Sequence, residues 1–98
     1  MSQIVVVAKI TAQPESAAAL EHAMGVLVQA SRSEAGCVAY DLYKHAELAG
    51  EFVFVETWHD RAALEAHWQA PHMQAYRQIA GPLIAARDVK VLPLPEQA

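Results

Sequence analysis

The sequence predicts an α+β domain: four strands forming one antiparallel sheet, with the element order β-α-β-β-α-β. Three observations predict it. Four short segments, 3–10, 37–44, 51–58 and 88–94, are rich in β-branched, aromatic and other apolar residues. Two intervening segments, 14–34 and the stretch beginning at Asp60, place apolar residues at helical spacing. The loop 45–50 is short enough to make the second and third strands a hairpin. A chain of 98 residues fits a single domain over 1–98, with a core of about 3–94 and a tail at 95–98.

QIVVVAKI, residues 3–10, reads as strand one. Pro14 suits the first turn of the first helix, where its missing N–H costs nothing, and Glu15 suits the positive end of the helix dipole. Ala17, Leu20, Met24, Leu27 and Ser31 form one stripe with Ala23 and Val28 beside it. Gly36 is the expected stop, through a left-handed residue. CVAYDLYK, residues 37–44, alternates Val38, Tyr40 and Leu42 against Cys37, Ala39, Asp41 and Tyr43, as strand two.

EFVFVETW, residues 51–58, is strand three, with Phe52, Phe54, Glu56 and Trp58 on one face and Val53, Val55 and Thr57 on the other. Asp60 is the expected N-cap of the second helix, in which Leu64, His67 and Trp68 share a face. Pro71 kinks or restarts that helix, and Met73, Tyr76, Ile79, Ala80 and Leu83 continue the stripe until Gly81-Pro82. DVKVLPL, residues 88–94, is the last strand. Pro93 and Pro95 confine its end to an edge or tail and favour some exchange of that end with a second chain.

Such a ferredoxin-like sheet carries both helices on one face. The other face is also apolar here, so a second copy is expected to cover it as a homodimer. Hydrophobic residues make up 54% and charged residues 18% of the chain, an apolar-rich balance consistent with shared surface. A net charge of −4 and the lack of any basic run argue against nucleic acid and anionic membranes. The single cysteine, Cys37, excludes an intramolecular disulfide and any CxxC motif. With no signal-like or membrane-length apolar stretch, a cytoplasmic protein is expected.

Several residues have chemical potential. His67 faces inward and has an ordinary pKa near neutrality, so it is the candidate catalytic base, although an inward histidine is more often a satisfied core residue. Tyr40, Phe54, Trp58, Leu64, Trp68 and Tyr76 are candidate pocket walls, with Tyr40, Tyr76 and the indoles as hydrogen-bond donors. His72 is a candidate pocket member or a loop residue, while His22, His45 and His59 read as surface. Glu56 sits in an apolar strand and needs either a partner or a wet cavity. It reads as a pocket acid orienting His67, or, preferably, as a structural residue making a salt bridge or a backbone hydrogen bond inside the fold or at the dimer seam. The spacing of His59, His67 and His72 is not that of a helical zinc site, so no metal is expected. Cys37 reads as a small buried hydrophobe.

EAGCVAYDLYK followed by FVFVETWHDRAALEAHWQAPHM resembles the antibiotic biosynthesis monooxygenase (ABM) domain family, in particular its quinol-monooxygenase-like members. Glu34-x-Gly36-Cys37-x-x-Tyr40, Glu56-x-Trp58, Ala63-Leu64-x-x-His67 and His72 carry the resemblance, which spans nearly the whole chain. It implies a dimeric α+β barrel and oxygenation of a quinol, phenol or polycyclic aromatic by molecular oxygen, with no metal or flavin cofactor. The haem-degrading branch resembles it in fold, but strand one here lacks that branch's Asn. His67 stands near its Trp position and Arg77 near its iron-ligand position, which disfavours haem degradation. The alternatives are an isomerase of a small hydroxycarbonyl compound and a non-catalytic small-ligand-binding dimer. A flat aromatic slot would favour the oxygenase, a small polar cavity with several histidines and the Glu56 carboxylate the isomerase, and a pocket filled by Trp58, Trp68 and Tyr76 the binding protein.

Overall fold

The computed structural model describes residues 2–96; residues 97–98 of the expected tail lie outside the described residues. The elements are β1 (Ile4–Ala12), α1 (Ala17–Arg32), β2 (Cys37–Lys44), β3 (Glu51–Trp58), α2 (Arg61–Gln69), α3 (Pro71–Ala80), a 3-10 turn (Gly81–Leu83) and β4 (Ile84–Pro93). The strands form one antiparallel sheet in the order β2-β3-β1-β4. This is the ferredoxin-like arrangement, with the first and third strands central.

The period-two pattern of β1 and β3 sets the layers. Ile4, Val6, Ala8 and Ile10 pair with Trp58, Glu56, Phe54 and Phe52, and all eight are buried on the helix side. Leu20, Met24, Leu27 and Val28 of α1 complete that core. Burying each of these side chains contributes about 1.5–3 kcal/mol, which makes this layer the main source of stability. Val5, Val7, Val53, Val55 and Thr57 face the other way, and the exposed Leu92 and Tyr43 pair with Val5 and Val53 on that same open face.

Four local features differ from the reading of the sequence. The first helix begins at Ala17, not at Pro14. Glu15 has φ 66°, left-handed, so it belongs to a turn rather than to the helix dipole. Gln13 fixes that turn, accepting from Ser16 N–H at 3.0 Å while its own N–H donates to the Leu83 carbonyl at 2.7 Å. Gly36 does not close α1 in a left-handed conformation. What it provides is space, since a Cβ there would lie 2.3 Å from Ala63 Cβ in α2. In β2 the register shifts between Cys37 and Ala39, so Val38 is the extra residue of a β-bulge and is exposed. Tyr40 and Leu42 remain on the helix side, opposite Glu56 and Phe54.

Pro71 restarts the helix rather than kinking it. Ala70 is extended (φ −64°, ψ 146°), as the residue before a proline prefers, and Pro71 opens α3. The last strand begins at Ile84, four residues before the expected 88. Ile84-Ala-Ala-Arg87 lacks a strand-like composition, but Pro82 ends the helical run and β1 offers a free edge. β4 stays on its own sheet to Pro93, and Leu94 N–H donates to the Gln3 carbonyl at 2.9 Å. Its one proline, Pro93, is tolerated because β4 is an edge strand, and Pro95 lies beyond the strand.

Gly36→Ala should destabilise the fold by about 1–3 kcal/mol, the usual range for overpacking. Urea denaturation would measure it, and adding Ala63→Gly should recover most of the loss. Equal stability of wild type and Gly36→Ala would show that the contact is not tight in solution.

Candidate functional site

The start of α2 is fixed before any chemistry enters. Asp60 caps it, its Oδ1 accepting from Ala63 N–H at 2.8 Å, and His59 N–H donates to the Gly36 carbonyl at 2.9 Å. Ala63 packs on Gly36, and one turn later His67 falls beside Glu34, two residues before that glycine. His67 is 1% exposed, and its Nδ1 meets Glu34 Oε2 at 2.6 Å. His72 Nε2, from the first turn of α3, reaches the same oxygen at 2.7 Å. The His67 ring lies 4.5 Å from Trp58 and 5.4 Å from Tyr40, centroid to centroid.

This arrangement sets the tautomer. With the Glu34 carboxylate as acceptor, neutral His67 carries its proton on Nδ1 and its lone pair on Nε2, on the ring edge away from Glu34. Burial holds the pKa of His67 below its ordinary value, while Glu34 partly opposes that shift. The ring is thus kept neutral and able to accept a proton. Glu34, His67 and His72 also place their donor atoms within 4.8 Å of one another, close enough to be drawn around a divalent cation. The two short N···O contacts account for the cluster as hydrogen bonds.

His67 lines a cavity of about 390 Å³ between the sheet and α3. Tyr40, Phe54, Trp68 and Tyr76 supply aromatic walls, and Glu56, Arg77 and Arg87 are the other charged or titratable groups. Of the residues proposed from sequence, Tyr40, Phe54, Glu56, His67, Trp68 and Tyr76 line this space. Trp58 and Leu64 are fully buried and do not line it, nor does His72, which shares the Glu34 oxygen with His67. Arg61 lies 5.2 Å over the Trp68 ring and holds that indole's outer face. His22, His45 and His59 are exposed.

Glu56 is 5% exposed, and none of the described Lys, Arg or His side chains pairs with it. Trp58 Nε1 donates to its Oε1 at 3.0 Å. Burial pushes its pKa up to about 7; contacts from Trp58 and Tyr40 pull the other way, and the Glu34 charge adds to the rise. It therefore neither orients His67 nor forms the ion pair read from the sequence. Burial, with the Glu56 charge second, pushes the Tyr40 hydroxyl far up, and burial pushes Tyr76 up to about 12. The buried hydroxyl oxygens of Ser31 and Tyr76 have no hydrogen-bond partner among the described residues. Burial also raises Cys37, a half-buried free thiol. From the sequence alone Glu34 is only a residue of the Glu34-x-Gly36-Cys37 motif. Its role was hidden because its partners lie 33 and 38 positions away.

The family description "Antibiotic biosynthesis monooxygenase" matches residues 3–79. "Putative monooxygenase Rv0793" of Mycobacterium tuberculosis is 35% identical over 83 residues, covering 85% of this chain and 81% of its own. The solved structure of that protein covers 99% of each chain, with 34% identity and a TM-score of 0.89. The crystal structure of PA3566 from Pseudomonas aeruginosa covers 98% of this chain and 97% of its own, with 33% identity and a TM-score of 0.91. The match over residues 3–79 and the 35% identity make this chain a member of the antibiotic biosynthesis monooxygenase family.

Proposed function

We propose that this domain is a monooxygenase that oxidises a quinol, phenolic or polycyclic aromatic with molecular oxygen and needs neither metal nor flavin. One observation carries the reading. A buried, neutral histidine, fixed by a carboxylate on one nitrogen, lines an aromatic-walled cavity. Such chemistry needs a base, because a phenol that loses its proton becomes a much better electron donor to O2. His67 Nε2 takes the phenolic proton, and the resulting positive charge is stabilised by Glu34 at Nδ1. Tyr40, Phe54, Trp68 and Tyr76 hold a flat ring and keep water from the reacting carbon. The cavity is not filled by Trp68 or Tyr76, and His67 is its one lining histidine among the described residues. The unfilled space disfavours the binding-protein reading, and the single histidine disfavours the isomerase of a small hydroxycarbonyl compound.

We also propose that two copies pair through the open sheet face. Val5, Val7, Val53 and Val55 form its centre, with Leu92 exposed at 45% and Tyr43 at 57% on the same surface. Left bare, such a patch exceeds what soluble monomers usually carry.

Oxygen-electrode assays with a panel of hydroquinones should show uptake that stops under anaerobic conditions. His67→Ala should lower it by about 10²–10⁴-fold, the usual weight of a general base; wild-type rates in that variant would remove His67 from the role. Sedimentation at micromolar concentration should give a dimer for wild type and a monomer for Val55→Lys. A monomeric wild type would discard the sheet-to-sheet pairing.

A further inference from the structure

Glu56 is the buried titratable group that the base mechanism leaves unused. It lines the same cavity as His67, held on one oxygen by the Trp58 indole, whose ring also packs on the His67 imidazole. A carboxyl group kept this deep with no cation paired to it is costly if its task is only to accept hydrogen bonds from Trp58 and Tyr40, since an amide oxygen would serve as well. We infer that Glu56 is a second catalytic group of this site, the acid that delivers a proton to the departing oxygen atom. The inference rests on the oxygenase reading above.

The reaction defines the need for such an acid. After His67 removes the phenolic proton, a ring carbon still bearing hydrogen bonds to O2, giving a peroxide. The imidazolium returns its proton to the outer oxygen, which makes a hydroperoxide. Collapse then breaks the C–H and O–O bonds and forms C=O. Neutral His67 takes the C–H proton, the C–H electron pair forms the new carbonyl π bond, and the O–O pair leaves with the outer oxygen. That oxygen would depart as hydroxide, a poor leaving group in an apolar cavity. The Glu56 carboxylic acid protonates it, so it leaves as water. A proton passing from His67 back to Glu56 resets both groups. In sum, the phenol and O2 give a quinone and water, with one oxygen atom in each product.

The surroundings keep the two groups in complementary states. Glu56 is faced by Tyr40 and Cys37 from β2, Trp58 on its own strand, Glu34 after α1 and Tyr76 from α3, and it shares the cavity lining with His67 from α2, Arg77 from α3 and Arg87 from β4. Burial raises the carboxyl to about 7 and lowers the imidazole, so acid and base coexist near neutrality. Ionisation of Glu56 should therefore end activity on the alkaline side, and protonation of His67 on the acid side. The sign for stability follows from the same shift. A carboxyl raised from 4.5 to about 7 in the fold contributes fully below pH 4.5, and its contribution is lost as pH rises through about 7.

The test pairs wild type with Glu56→Gln, which keeps an oxygen for Trp58 Nε1 but has no acidic proton. Oxygen uptake and hydrogen peroxide release would be followed with a hydroquinone probe from pH 5.5 to 8.5, with urea stability across the same range. The variant should fold, and it should lack the alkaline loss of stability shown by wild type. Its kcat should fall about 10-fold or more with little change in KM, and its activity should no longer decline above pH 7. Most of the oxygen consumed should appear as peroxide, because the stalled intermediate loses H2O2 instead of water. A variant with wild-type kcat, alkaline limb and peroxide yield overturns the assignment to Glu56 alone. A wild type that consumes no oxygen with any hydroquinone overturns the oxygenase reading and this one with it.

Discussion

The close approach of Gly36 and Ala63 is the constraint on which the site depends. It lets α2 lie almost on the backbone at the entrance to β2, where any larger residue would hold the two apart. The hydrogen bond from His59 N–H to the Gly36 carbonyl locks the approach from the β3 side, and the Asp60 cap starts the helix at that point. One helical turn then carries His67 to Glu34. A displacement of about 1 Å at Gly36 would open a 2.6 Å contact beyond hydrogen-bonding range. The chemistry is thus placed by a missing side chain, not by the strength of the ionic contact itself.

The second organising fact is depth. Glu34 and Glu56 carry the same functional group in one small domain, yet they meet different surroundings. Glu34 sits at the rim, 17% exposed at its side chain, and collects two imidazoles. Glu56 lies under the helices with an indole and a phenol for company. Solvation separates their behaviour more than any sequence neighbour does. The same principle keeps His67 neutral although a carboxylate touches it, because desolvation outweighs the attraction.

Much of the architecture was legible because it rests on periodicity. The alternation in β3 and the helical stripe of α1 predict the buried residues observed in both. Elements governed by backbone geometry were not legible. Glu15 gives no local sign that it will adopt a left-handed conformation, and Val38 looks like any other strand residue until the register shows it to be extra. Ile84–Arg87 becomes strand through pairing with β1, a long-range gain that overrides weak local preference. At the site, periodicity turned His67 inward, but the Glu34 contact joins segments more than thirty residues apart. Glu56 was conspicuous as a charge among aromatics, yet only the three-dimensional arrangement shows that no cation answers it.

The break at Pro71 has a consequence for how this scaffold diversifies. His67 and Trp68 ride on a helix of nine residues, whereas Met73, Tyr76 and Arg77, which roof the cavity, ride on a separate helix of ten. A single extended residue, Ala70, joins them. Had one continuous rod carried both, every substitution that re-angled the roof would have dragged the imidazole with it. As two pieces joined at one extended residue, and tied by the Arg77 side chain donating to the Trp68 carbonyl at 2.8 Å, the roof can change its outline with less disturbance of the imidazole than a single rod would permit.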